Sequence, residues 1–143
     1  PYLQMLPRTC QMAICWNASY VNKTLPVSQQ KRWISAQHHQ RAFAARVRVD
    51  EYAFLVSMSI VLSRIWGINS KMVFFIPFVD LFNHDVRYGR VLGIHGDKAN
   101  ISSVQHANRA YHRDEEIFNS YGHVSKTHLL AYYGFTAHDP HCT

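Results

Sequence analysis

The chain has 143 residues, of which 48% are hydrophobic and 13% aromatic, and this is enough material for one domain with a buried core. Its formal net charge of +6 comes from 15 basic residues that are spread along the chain, so we expect no direct nucleic-acid partner. No run approaches the ~20 apolar residues that a membrane-spanning helix needs, and we expect no membrane contact.

Cysteine and histidine usage predicts neither a disulfide framework nor a metal site. Cys10, Cys15 and Cys142 are an odd number of thiols without a paired Cys-x-x-Cys motif. This usage is typical of a reducing compartment, so we expect free thiols in an intracellular protein of the nucleus, the cytoplasm or both. The tail residues His138, His141 and Cys142 lack the spacing of a closed zinc site, and we expect no bound metal.

The first half of the chain predicts helices. Residues 1–27 show no sustained period, and we expect an irregular lead-in with one short helical turn. From Ser28 to about Arg48 the composition and the spacing of apolar residues predict an amphipathic, partly exposed helix. Asp50 is placed to cap a second helix, which we expect to be largely buried and to end at Gly67.

The second half predicts short strands and a closing helix. The apolar, β-branched run 72–76 is stopped by Pro77 and predicts a buried strand. Ser125 is placed to cap a final helix that reaches Tyr132. Further short strands are predicted at 90–95, 101–108 and 116–121. The fold class is therefore α+β.

Three segments of the second half carry a family resemblance. They are Phe75-Ile-Pro-Phe-Val-Asp-Leu-Phe-Asn-His84, Glu115-Glu-Ile-Phe-Asn-Ser-Tyr-Gly122 and Leu129-Leu-Ala-Tyr-Tyr-Gly-Phe135. Alone, each is an ordinary loop, strand end or helix end. In this order they resemble the catalytic half of a SET-domain protein methyltransferase, of the class that includes Rubisco large-subunit lysine methyltransferase.

The resemblance implies a partial SET domain, with short strands of a β-clip-like fold preceded by a helical insert. It divides the chain into an irregular lead-in (1–27), a helical insert (28–70), the catalytic half of the SET domain (71–135) and a tail (136–143). The glycine-rich strand that begins the family's SET domain, and the helical substrate-binding domain that follows it, have no counterpart here. We therefore expect a piece of a longer methyltransferase, inactive by itself.

The resemblance also implies a cofactor, S-adenosylmethionine, and residues that hold it. Arg64, Asn83, His84 and Tyr121 match the family's cofactor-binding positions. A guanidinium such as that of Arg64 on an apolar helix needs a partner or an anion. Tyr121 matches the tyrosine at the methyl-transfer site, whose hydroxyl helps to orient the attacking nitrogen.

The substrate implied by the resemblance is a lysine side chain of a protein. Asp80 matches a residue beside the substrate amine, and Tyr133 and Phe135 match residues of the narrow channel that admits the side chain. Packing at a helix end would explain this last pair equally well. Histidine is a less favoured target, because the tryptophan that precedes the aspartate in a histidine-modifying relative is Val79 here. We expect a monomer.

Two other functions stay open at this stage. The motif after the tyrosine usually reads Ser-Asn, and Lys126 replaces that asparagine. Together with the missing segments, this departure would suit a catalytically silent SET-like module that binds other proteins. A basic nucleic-acid-binding domain is the weaker alternative, and its affinity would fall steeply with salt.

Overall fold

The computed structural model describes residues 2–69, 72–88, 92–96, 101–107 and 109–136. Within these ranges the chain forms helices and two small antiparallel sheets, as the α+β prediction requires. The helices are α1 (Tyr2–Met5), α2 (Ala18–Thr24), α3 (Val27–Val47), α4 (Glu51–Arg64) and α5 (Lys126–Tyr133). Strand β1 (Ile65–Asn69) pairs with β2 (Met72–Phe75), and β3 (Leu92–Gly96) pairs with β4 (Ile101–Gln105). Short 3-10 turns lie at Ala13–Cys15, Val79–Leu81 and Val86–Tyr88.

Polar side chains begin three of the helices. Asn17, Asp50 and Ser125 each accept a hydrogen bond from the backbone N–H three residues later, which satisfies a donor that the first turn leaves open. The caps predicted at Asp50 and Ser125 are confirmed. Helix α5 ends at Gly134, whose φ of 80° is the left-handed conformation that favours glycine.

The hydrophobic core is built around the loop 12–14. Met12, Ala13 and Ile14 are buried where α3, α4 and α5 meet, and the loop is also held by the Gln37 side chain, whose Nε2 donates to the Ala13 carbonyl at 2.6 Å. The core continues through Val21, Leu25, Trp33, Leu55 and Ala131. A segment expected to be irregular therefore lies at the centre of the helical part of the molecule.

The two long helices match their predicted positions, but two details of α4 are wrong. The helix ends at Arg64 and not at Gly67, because Ile65 is already extended and begins β1. It is also less buried than expected. Leu55 and Ser59 are its buried residues, whereas Tyr52 is 55% exposed, because α3, the 13–15 turn and α5 cover a single face.

The remaining elements correct two predictions. The lead-in 1–27 holds α1 and α2 in addition to the expected turn. Residues 116–121 form no strand and contribute one isolated parallel bridge, between Asn119 and His84. There the Asn119 backbone bonds to Asn83 and Asp85, on either side of His84, and no ladder continues. The predicted strand 72–76 is confirmed as β2, which spans Met72–Phe75. Residues 90, 91 and 108 of the other two predicted strands lie outside the described residues. β3 covers 92–95 of the first, and β4 covers 101–105 of the second, whose residues 106 and 107 are not in a strand.

The expectation of free thiols is wrong for Cys10 and Cys15, which form a disulfide. The 13–15 turn curls the chain back and leaves the two Cα atoms 6.0 Å apart, within the range that a disulfide bridges. Because these two cysteines are bonded, cysteine usage no longer favours a reducing compartment. Cys142 lies outside the described residues. None of the helices described here is both long and apolar enough to cross a bilayer.

Candidate functional site

A cavity of about 290 Å³ lies where the N-terminal segment, α4, the loop 80–83 and the end of α5 meet. Six of the seven predicted site residues line it. They are Arg64, Asp80, Asn83, Tyr121, Tyr133 and Phe135. Residues 71 positions apart in sequence are therefore gathered around one space.

Arg64 and Asp80 form the charged part of the cavity wall. Arg64 Nη1 lies 3.2 Å from Asp80 Oδ2 and 2.7 Å from the Asp80 backbone carbonyl oxygen. The Asp80 side chain is fully buried and that of Arg64 is 16% exposed. Each keeps one buried polar atom, Arg64 Nε and Asp80 Oδ1, that has no hydrogen-bond partner among the described residues. The pair thus retains one donor and one acceptor that the described chain does not satisfy.

The backbone that delivers Asp80 is strained. Phe78, at the entrance of the Val79–Leu81 turn, has φ 72°, which is unfavourable for a bulky residue. Its side chain is exposed. Strain of this kind persists where the surrounding structure fixes it, and it concentrates at functional sites.

Tyr121 stands at the centre of an aromatic stack. Its ring lies 5.0 Å from the His84 ring on one side and 4.7 Å from the Tyr133 ring on the other. The hydroxyl donates to the Phe82 carbonyl at 2.7 Å, and the backbone N–H donates to His84 Nδ1 at 3.0 Å. Both the side chain and the backbone of Tyr121 are therefore fixed.

Burial, followed by the nearby Tyr133, raises the pKa of Tyr121 to about 12. Burial also raises the pKa of Tyr133. Because the pKa of Tyr121 rises on folding, the stability that its neutral phenol contributes is complete below about pH 10 and is lost as the pH approaches 12. At physiological pH Tyr121 is neutral, and its hydroxyl can donate one hydrogen bond and accept others.

The structure places Asn83 and His84 differently. Asn83 lines the cavity, and its Nδ2 donates to Glu116 Oε1. His84 is not among the described residues that line the cavity, and it lies behind Tyr121. The backbone bond from Asn119 N–H to the Asn83 carbonyl, 2.9 Å long, ties this dipeptide to the segment that carries Tyr121.

Apart from Arg64, the sequence prediction missed the part of the wall that comes from the first half of the chain. Gln11 and Met12 line the cavity from the disulfide loop, and Ser59 and Ser63 line it from α4. Tyr2 is a further omission, since its hydroxyl donates to Asp80 Oδ2. Ser59 and Ser63 are four positions apart and so share one face of α4, a spacing that could have indicated them together. No local pattern could have indicated Tyr2.

Lys126 stands apart from the cavity. Lys126 is exposed as the first residue of α5 and is not one of the described lining residues. In the described ranges, no group of three or more His, Cys, Asp or Glu side chains could hold a metal ion. The tail residues His138, His141 and Cys142 lie outside the described residues.

The fold is that of known methyltransferase structures. The SET domain of LSMT bound to lysine and AdoHcy has a TM-score of 0.73 at 17% identity, and Rubisco LSMT bound to AdoMet has 0.73 at 16%. Rubisco LSMT bound to sinefungin and monomethyllysine has 0.71 at 18%. Each match covers 96% of this chain and 35% of the other, so the chain spans about a third of the length of these proteins.

No protein-family model matches the sequence, and no curated protein matches it either. The likeness to these structures is therefore one of fold, at 16–18% sequence identity. Because the likeness extends over nearly the whole chain, the chain has the fold of part of a SET domain of the Rubisco LSMT kind.

Proposed function

We propose that this chain is part of an S-adenosylmethionine-dependent protein N-methyltransferase that modifies the side-chain amine of lysine. The observation that carries the proposal is the cavity itself. In a chain with a SET fold, it brings Tyr121 together with five of the six other predicted site residues, His84 being the exception. The structural neighbours were determined with AdoMet, AdoHcy, sinefungin, lysine or monomethyllysine, which supports the choice of cofactor and substrate.

The residues present fit the cofactor. Its methionine part carries a carboxylate, and Arg64 Nε is a buried cationic donor with no partner in the described part of the chain. We assign that carboxylate to Arg64, with Asn83 as a neighbouring polar contact and His84 supporting the wall behind Tyr121. When bound, S-adenosylmethionine supplies an electrophilic methyl group.

The chain's own residues then have to present a neutral, aligned amine. A lysine amine has a pKa of ~10.4 in water. An apolar channel, together with the positive charge of bound S-adenosylmethionine, would lower this pKa. The Tyr121 hydroxyl donates a hydrogen bond to the Phe82 carbonyl, so its oxygen is left as an acceptor for a substrate N–H. Accepting that hydrogen would fix the direction of the nitrogen lone pair. Because the phenol is neutral at physiological pH, we assign it orientation rather than proton abstraction.

The walls of the proposed channel are aromatic. Tyr133 and Phe135 line the cavity with ring centroids 6.2 Å apart. Aromatic rings of this kind pack well against the long methylene stem of a lysine side chain and poorly against a hydrated charged group. We therefore retain lysine as the substrate and histidine as the less favoured one.

The test is methyl transfer by the protein that carries this chain, with Tyr121→Phe as the variant. This change keeps the aromatic stack and removes the hydroxyl, so we expect kcat to fall about 100-fold, as for a misaligned reactant. Tyr52→Phe is the control, since Tyr52 lies in the first turn of α4 and is exposed. Equal activity of wild type and Tyr121→Phe would contradict the proposal. A wild type with no transfer to any lysine substrate would favour the silent module.

A further inference from the structure

Tyr2 reaches the site from the far end of the chain. It lies in α1, and its hydroxyl donates to Asp80 Oδ2 across 78 positions of sequence. Its ring packs against Phe75 and Phe78, with centroid separations of 6.1 and 5.4 Å. The ring contacts pack α1 against the end of β2. The hydroxyl adds a hydrogen bond to Asp80, which lines the cavity.

The two oxygens of the Asp80 carboxylate differ in their hydrogen bonding. Oδ2 accepts hydrogen bonds from both the Tyr2 hydroxyl and Arg64 Nη1. Oδ1 is buried and has no hydrogen-bond partner within the described ranges. Since two donors hold the same oxygen, the carboxylate cannot rotate without breaking both contacts, and Oδ1 is the oxygen that they leave without a partner, in a residue that lines the cavity.

We propose that Tyr2 is a positioning residue of the site: with Arg64 it fixes the Asp80 carboxylate so that Oδ1 receives the incoming substrate ammonium group. The inference rests on the proposed function, because it takes the ligand of Asp80 to be a lysine side chain. It assigns the first contact with the charged side chain to Asp80. The ammonium group then loses one proton to water, and Tyr121 orients the neutral amine.

The protonation state of Tyr2 suits this role. Burial, and after it the hydrogen bond to Asp80, raises the pKa of Tyr2 to about 12. The phenol therefore stays protonated and remains a donor over the whole pH range in which a methyltransferase would act. The geometry of the two oxygens, and not this pKa, carries the inference.

A purely structural role would have a different signature. If Tyr2 served only to anchor α1, the ring contacts with Phe75 and Phe78 would suffice, and removal of the hydroxyl would leave substrate affinity unchanged. Tyr2→Phe separates the two roles because it keeps the ring and removes the hydroxyl that donates to Asp80.

The first arm of the experiment measures kinetics in the protein that carries this chain. For Tyr2→Phe we expect the KM for a lysine peptide to rise about tenfold, the usual worth of a hydrogen bond to a charged group, with kcat within twofold of wild type. The Kd of S-adenosylmethionine should stay the same, and Tyr52→Phe should change none of these constants. An unchanged KM would overturn the proposal, as would an equal loss of cofactor affinity, which would indicate general loosening.

The second arm needs no activity. Urea unfolding midpoints are measured for Tyr2→Phe, Asp80→Asn and the double variant. Coupled groups should give a double variant whose loss is smaller than the sum of the single losses, whereas additive losses would overturn the Tyr2 contact. If the wild type binds no S-adenosylmethionine, the proposed function fails and the role in substrate capture fails with it, while the cycle still shows whether the hydroxyl and the carboxylate interact.

Discussion

Two regions of this molecule are held together by different interactions. The helical scaffold, made of α2 to α5 and the loop 12–14, buries apolar side chains such as Ile14, Val21 and Leu129. The site loops, residues 76–88 and 115–122, bury polar groups instead, namely Asp80, Asn119 and Ser120. Apolar burial is non-directional, whereas a buried polar group needs a partner in the right place. The scaffold should therefore respond to changes of volume, and the loops to the loss of single atoms.

The largest effect should come from a cavity in the scaffold. Ile14 is 1% exposed and lies at the junction of α3, α4 and α5. Ile14→Ala should reduce the free energy of unfolding by about 2–5 kcal/mol, measured by urea denaturation. Val27→Ala is the matched control, because Val27 is 81% exposed and its truncation should change stability little. A loss below about 1 kcal/mol for Ile14→Ala would show that this loop is not the core.

The next effect should come from the ion pair of the site loops. Arg64→Met removes the cation from the buried Asp80 carboxylate, and we expect a loss of about 3 kcal/mol, the lower end for breaking a buried pair, because Arg64 keeps some contact with water. Replacement of both partners, in Arg64→Met with Asp80→Leu, should recover much of the loss. If the double variant were less stable than both the wild type and Arg64→Met, the two side chains would stabilise the loops through contacts other than their charges.

A smaller effect should come from the disulfide, whose loop supplies Ile14 to the core and Gln11 and Met12 to the cavity wall. Cys10 and Cys15 are five positions apart, so closing this short loop should contribute about 2 kcal/mol on the chain-entropy model. Cys10→Ser with Cys15→Ser should therefore lower the unfolding free energy by that amount. Dithiothreitol should do the same to the wild type, and Cys142→Ser should not. No difference between oxidised and reduced protein would restore the expectation of free thiols.

The difference between the helical scaffold and the site loops also explains which features could be predicted from the sequence. Local signals indicated α3, α4 and α5, because caps such as Asp50 and Ser125 act over three residues. The family motifs led to the residues that line the cavity. Contacts between distant segments leave no such signal, and this is why the Tyr2–Asp80 bond was missed. The Cys10–Cys15 pair was missed because it depends on a 3-10 turn that the expected irregular lead-in did not specify.

The segment 116–121 illustrates the same limit. Its length and the residues that bound it favoured a strand, but the neighbouring chain offers Asn119 only the backbone around His84. A strand requires a continuous partner, and whether one exists is decided by the tertiary fold. The site loops were thus predictable as motifs but not as structure.

The most direct test of the account is calorimetric binding of S-adenosylmethionine to this chain and to a form that also carries an upstream glycine-rich strand. We predict saturable binding by the extended form, weaker binding by the chain alone, and loss of binding on Asn83→Ala but not on Tyr52→Phe. Binding by neither form would contradict the claim that this cavity is a cofactor site.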